Sequence, residues 1–154
     1  MSVKRVPAGF HRITPHLAVR GAAKAIEFYK KAFGAEEIVR NLGPDGRLIM
    51  HAQLKIGDSM LMLHDEFAES GGLSPHTLEG SPITLHLYVE DADAAFARAV
   101  AAGAKVEMAL QDMFWGDRYG QLIDPFGHCW SIGSKLEDLS PDQVRKRAQE
   151  LFDR

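Results

Sequence analysis

The sequence predicts an α+β protein made of two tandem βαβββ modules followed by a C-terminal helix. Three observations carry this prediction. The stretch ITPHLAV at residues 13–19 returns as ITLHLYV at residues 83–89, 70 positions later and identical at five of seven places. Each copy leads into an Ala-rich stretch of helical period that stops at Gly-Ala, GAAKAIEFYKKAFGA and DADAAFARAVAAGA. After each helix come about three apolar-alternating runs separated by Gly-containing turns.

The elements follow in order. In the first strand, a period of two sends Ile13, Leu17 and Val19 to a helix-covered core and Thr14, His16 and Ala18 to the opposite face. The second copy repeats this, with Ile83, Leu85, Leu87 and Val89 inward and Thr84, His86 and Tyr88 outward. The first helix buries Ala25, Ile26, Tyr29 and Phe33, and the second Ala95, Phe96, Ala99 and Val100; Gly34 and Gly103 supply the stops. Asp45-Gly46 and Trp115-Gly116 mark equivalent turns. In LIMHAQLKIGDS an apolar face of Leu48, Met50, Ala52, Leu54 and Ile56 opposes Ile49, His51 and Gln53; Tyr119, Gln121 and Ile123 are the counterparts of the latter. The last strands are MLMLH and WSIGS, and Met50, Met60 and Met62 read as core filler. Asp124-Pro125-Phe126-Gly127 reads as a turn, with His128 at its exit as a surface or capping residue.

Residues 1–154 thus form one domain, with modules at 11–64 and 83–134. The stretch 65–82 between them, rich in Gly, Ser and Pro, is a linker or flap. In the tail, 135–154, Ser140 is a helix N-cap and Pro141 lies in the first turn. Val144, Ala148 and Leu151 make a stripe that packs on the core or on a second subunit.

Composition narrows the function. A net charge of −3 gives no electrostatic reason for a nucleic-acid or membrane partner. No apolar run is long enough for a signal peptide or a membrane span, so a cytoplasmic protein is expected. The single cysteine, Cys129, excludes an internal disulfide and reads as a small buried hydrophobe. Phosphate-cradling Gly loops, Gly-x-Ser-x-Gly elbows and paired-Cys motifs are missing from the sequence.

What remains is a mixed polar and apolar sheet face, written twice, that suits a concave ligand surface. His16 and His86, flanked by Thr14 and Thr84, are its central pair. They read either as cleft residues that bind a ligand or shuttle a proton, or as two half-wet strand histidines bonded to their threonines. His51 with Gln53, and Tyr119 with Gln121, supply orienting polar groups or ordinary cross-strand pairs. In FWGDRYG, Trp115 stacks on a ligand while Arg118 pairs an anion; alternatively Trp115 anchors the turn and Asp117 pairs with Arg118. The sequence identifies no catalytic residue.

AIEFYKKAFGA and FWGDRYGQLIDPFGHCWSIGS, together with MHAQLKIGDSMLML and the EDLS that follows, resemble the PhnB-like branch of the vicinal oxygen chelate superfamily. That superfamily holds glyoxalase I, fosfomycin-resistance enzymes, bleomycin-resistance proteins and extradiol dioxygenases, and the resemblance spans residues 11–134. It implies the glyoxalase/bleomycin-resistance/dioxygenase fold and a homodimer. The family's metal enzymes draw two His from the first strands and two carboxylates from the last. Those places fall here on Thr14, Thr84, roughly Leu61, and Ser131, none a strong divalent-metal ligand. No cofactor is therefore expected, and Thr14, His16, His51, Thr84, His86, Trp115, Arg118, Tyr119, Gln121 and Ser131 form the candidate cleft for a small polar, partly aromatic molecule. Two alternatives stay open: a lyase, transferase or dioxygenase-type enzyme using Zn, Ni, Mn or Fe, and a dimeric scaffold whose cleft is closed by side chains.

Overall fold

The computed structural model describes residues 2–67, 69 and 72–154. The first module runs β1 (His16–Val19), α1 (Ala22–Phe33), β2 (Glu36–Leu42), β3 (Ile49–Ile56) and β4 (Ser59–Asp65). A short helix, α2 (Pro75–Leu78), sits between modules. The second module runs β5 (Thr84–Tyr88), α3 (Ala92–Ala102), β6 (Lys105–Asp112), β7 (Asp117–Ile123) and β8 (Cys129–Lys135), and α4 (Pro141–Phe152) closes the chain. The sheets are β1-β4-β3-β2 and β5-β8-β7-β6, so β1 and β5 are edge strands of equivalent position. Each pairs parallel with the last strand of its module; all other pairings are antiparallel.

Local chemistry sets the helix ends. α1 starts and stops at glycines in the left-handed region, Gly21 (φ 86°) and Gly34 (φ 68°). Its N-terminal amides are held by the buried Asp65 carboxylate, which accepts from Gly21 N at 3.1 Å and Ala22 N at 2.8 Å. The other Asp65 oxygen accepts from Ile49 N at 2.7 Å, so one carboxylate pins helix start, β3 and β4 together. The Asp91 side chain caps α3 through Ala94 N, and Ser140 with Gln143 forms a capping box on α4.

Both modules share one core. Ala22, Ala25, Ile26 and Tyr29 of α1 and Ala92, Phe96 and Ala99 of α3 join Leu54, Leu63, Leu122, Trp130 and Ile132 in a single buried cluster, with α1 packed on α3. The seam is polar at Asp124. Buried Asp124 accepts from Tyr29 Oη at 2.6 Å, Trp130 Nε1 at 2.8 Å, Phe126 N at 2.8 Å and His128 N at 3.0 Å. Burial, then the Asp124 carboxylate, pushes the Tyr29 phenol well above its ordinary range. His128 Nε2 donates to the Ala18 carbonyl at 2.9 Å. The DPFGH stretch is therefore a lock between modules, not only a turn.

Strand parity fails in two places. Regular pairing of β1 begins at His16, so Ile13 lies ahead of the strand and is 87% exposed rather than in the core; Ile83 is exposed for the same reason. In β3 a register shift against β2 turns Ile49 fully inward and leaves Met50 56% exposed, so Met50 is not core filler. Val100 is also exposed; Ala92 takes its expected place on the inner face of α3. α4 has no fully buried residue and rests on Phe114 through Phe152 and on Glu137 through Arg147. Among the described residues no helix is long and apolar enough to cross a membrane.

Candidate functional site

Register explains how each sheet collects its polar side chains on one face. In the second module His86 stands beside Ser131, and Ser131 beside Gln121; Tyr88, Gly133 and Tyr119 form the next row. His86 Nδ1 lies 2.7 Å from Ser131 Oγ, and its ring packs edge-on against Tyr88 (centroids 4.4 Å apart) and nearly parallel to Tyr119 (5.7 Å). Gly133 makes this possible, because a Cβ there would lie 3.0 Å from His86 Cε1. Gln121 Nε2 donates to Tyr119 Oη at 3.1 Å. Burial lowers the His86 pKa, opposed by the Asp117 carboxylate.

Trp115 closes the far side. Its ring meets Tyr119 at 5.4 Å, and its Nε1 donates to Asp117 Oδ2 at 3.0 Å. The same oxygen accepts from Tyr88 Oη at 3.4 Å. Asp117 is thus a buried carboxylate shared by the two aromatics that border the site, and it does not pair with Arg118. Arg118 instead grips Asp93 of α3 through two bonds (2.8 and 2.9 Å) and Asp112 through one (2.9 Å). These carboxylates raise its pKa and occupy its fork. Thr84, His86, Tyr88, Trp115, Tyr119 and Ser131, with Asp117 behind them, surround a shallow hollow of about 300 Å³.

The first module presents a different set on the equivalent face. His16 aligns with Met62 and Gln53, and His51 and His64 flank that row. The His16 ring is edge-on to His51 at 5.7 Å and to His64 at 5.1 Å. Gln53 Nε2 lies 3.2 Å from His51 Nε2. His64 Nδ1 must donate to the Asp65 carbonyl at 2.7 Å, since that oxygen can only accept. Burial first, then His64 and His51, lowers the His16 pKa. Thr14 lies ahead of β1, in a small recess with Pro15 and Leu61.

The structure therefore brings Thr84, His86, Trp115, Tyr119, Gln121 and Ser131 together on one sheet, and His16 with His51 on the other. Among the described residues no hydrogen bond or ring contact joins His16 to His86. Sequence reasoning missed His64, Tyr88 and Asp117 as site residues. Strand parity marks His64 through Met60 and Met62, and Tyr88 through His86. Asp117 reads in sequence as a loop carboxylate paired with Arg118, because its burial depends on Trp115 folding back over it.

The positions that would hold a divalent ion in metal enzymes of this fold do not fit one. Leu61 is a buried core residue, Thr14 and Thr84 offer neutral hydroxyls, and Ser131 Oγ is engaged by His86. Among the described residues, no three His, Cys, Asp or Glu side chains are placed to grip a metal, the three clustered histidines included.

Comparison with known proteins agrees with the topology. Residues 9–132 match the family model described as the Glyoxalase/Bleomycin resistance protein/Dioxygenase superfamily. An uncharacterized protein of Mycobacterium tuberculosis is 48% identical over 136 residues, covering 86% of this chain and 79% of that protein. The X-ray structure of an Arabidopsis thaliana gene product is 32% identical with a TM-score of 0.65, covering 80% of this chain and 98% of that one. A PhnB protein structure from Bacillus cereus, 20% identical, superposes with a TM-score of 0.63 over 80% of this chain and 99% of that one, which speaks for the fold alone. The chain belongs to the glyoxalase/bleomycin resistance/dioxygenase superfamily, the vicinal oxygen chelate proteins, with PhnB among its structural neighbours.

Proposed function

We propose that this protein binds a small polar, partly aromatic molecule on the concave face of its second module without using a metal. The observation that carries the reading is the convergence of His86, Tyr88, Trp115, Tyr119 and Ser131 on one hollow of about 300 Å³. Two aromatic edges offer stacking, and one imidazole with its hydroxyl partner orients a hydrogen bond. The imidazole is biased toward its neutral form, so it can accept as well as donate at neutral pH. Such a surface sequesters or recognises a ligand in the manner of the bleomycin-resistance proteins. The reading places the protein in the cytoplasm, in keeping with a single free thiol.

The reading includes a homodimer. β1 and β5 each pair on one side only, and Ile13, Ile83 and Tyr88 stand exposed around these edges. A second copy would cover the edges and deepen a hollow that one chain leaves shallow.

The test is a thermal-shift screen of hydroxylated and nitrogen-containing aromatics in excess EDTA, with light scattering for mass. Ligand stabilisation that persists in EDTA and is lost in His86→Ala and Trp115→Ala supports the proposal. Stabilisation that appears only after Zn, Ni or Mn is restored, or that survives both substitutions, overturns it.

A further inference from the structure

The duplicated architecture carries an aromatic cluster on one side that its counterpart lacks, and the difference is a cavity. In β7–β8, Asp124 N donates to His128 O and encloses Pro125, Phe126 and Gly127. In β3–β4, Ile56 pairs with Ser59 and encloses only Gly57 and Asp58. The longer turn delivers Phe126, which is buried against Phe28 (6.1 Å between centroids) and Tyr29 (6.3 Å) of α1. At the repeat offset of 70, the α3 counterparts of Phe28 and Tyr29 are Arg98 and Ala99. Three rings on the first side thus correspond to a short turn, a guanidinium and a methyl on the second.

The space is not refilled by neighbouring side chains. A recess of about 500 Å³ remains between the modules, walled by Phe33, Ile56, Leu87, Val89, Ala95 and Ile132. Its volume lies within the ~300–1,000 Å³ span of small-molecule pockets. The recess opens to solvent past Asp58, Ser59 and Arg98, so a ring that enters it removes apolar wall from water. Arg98 stands at the rim. Its Nε and Nη2 donate to the last carbonyls of α1, Lys31 O at 2.7 Å and Lys30 O at 3.3 Å. No ion pair engages it among the described residues, which leaves its charge and Nη1 to a ligand. Asp58, on the opposing turn, already accepts from Ser59 Oγ.

We infer that this inter-module recess is a second ligand site, meeting the polar face of the second module only at His86 and Tyr88, that takes a small aromatic carboxylate. The ring occupies the place that Phe126 holds on the other side, and the carboxylate meets Arg98. The apolar wall supplies most of the affinity. Arg98 is solvent-exposed and contributes mainly the preference for an anion.

The experiment uses 3-phenylpropionate, its neutral counterpart 3-phenylpropanol and its cationic counterpart 3-phenylpropylamine, titrated onto the full chain by calorimetry and amide NMR. For a fragment of this size a Kd of about 0.1–1 mM is expected for the carboxylate, with amide shifts at Leu87, Val89 and Ala95. The alcohol should bind about threefold to tenfold more weakly and the amine weaker still. Ala95→Phe, which rebuilds a ring inside the recess, should weaken binding at least about tenfold with the circular dichroism spectrum and oligomeric mass unchanged. Should that variant fold poorly, Ser59→Phe at the exposed rim serves the same purpose. Arg98→Gln should abolish the preference for the carboxylate over the alcohol. Failure of 3-phenylpropionate to bind at about ten times the expected Kd overturns the inference. So does undiminished binding in the ring-filled variant, equal or tighter binding of the amine, or a drop in oligomeric mass in Ala95→Phe, which would make the recess a subunit contact. Trp115→Ala separates the two sites: Trp115 borders the polar hollow but not the recess, so this variant should lose the aromatic ligand of the hollow and keep 3-phenylpropionate, whereas His86 borders both.

Discussion

Both modules begin with the same strand, yet their polar faces diverge at the next strand over. Where the first module has His64 beside β1, the second has Gly133 beside β5. His16 is consequently crowded by two other imidazoles, both edge-on, which with burial lower its pKa. His86 has room to lie along Tyr119, a hydroxyl to bond, and a buried carboxylate behind its aromatic neighbours. One repeated histidine thus sits in a basic cluster on one side and in an aromatic, hydrogen-bonded hollow on the other. Duplication supplies equivalent positions, and the neighbouring rows decide what each position can do.

The largest effect is expected where the modules differ in how a buried carboxylate is used. Asp65 serves its own module alone, and Asp124 serves both. Asp124→Ala should cost about 3–5 kcal/mol, because it strands a buried phenol, an indole N–H and two amides. Asp65→Ala should cost about 2–3 kcal/mol through three amides. Urea unfolding of both variants gives the comparison directly, and a smaller loss in Asp124→Ala than in Asp65→Ala would contradict it.

A smaller effect is expected from separating the two polar faces. His86→Ala should weaken binding of the best hit from the aromatic screen by about tenfold or more, a little over 1.4 kcal/mol, and His16→Ala by about twofold or less. Equal losses would place both faces on one ligand and erase the distinction drawn between them. Smaller again is Gly133→Ala, which must move the His86 ring; about 1 kcal/mol of stability and the Ser131 contact should be lost together. His64→Ala at the equivalent place should leave stability within about 0.5 kcal/mol, read by thermal unfolding.

The smallest effect is on pH dependence. His16 and His86 both titrate lower in the native chain than unfolded, so the unfolded chain binds more protons as pH falls from about 7 toward 5. The contribution of these residues is complete above the unfolded pKa and declines through that window. His16→Asn should flatten the decline more than His86→Asn, because only His86 has a carboxylate working against the shift. Urea midpoints at two pH values measure it, and a steeper decline in His16→Asn would reverse the assignment.

The fold was legible because its evidence is local and doubled. A repeated strand, two Gly-stopped helices and paired turns each require only short-range physics. Parity placed His86, Tyr88, Tyr119 and Gln121 on one face correctly, since their strands are regular. It failed at Ile49 and Met50, where a register shift turns the chain, and at Ile13, where pairing starts later than the apolar pattern. The carboxylates were the hardest to read. Asp65, Asp117 and Asp124 look like turn residues in sequence, and each owes its burial to partners 2 to 95 positions away. No periodicity records such long-range acceptors.

The Asp124 seam bears on how this chain can be taken apart. An acceptor contributed by the later half sits among donors of which one, the Tyr29 phenol, comes from the earlier half. Severing the backbone in the 65–82 connector should therefore give two fragments that are poorly soluble apart and reconstitute when mixed. Inheritance of the pair is then all-or-none: shuffling either half into a relative succeeds only where the recipient already supplies the missing tyrosine or aspartate.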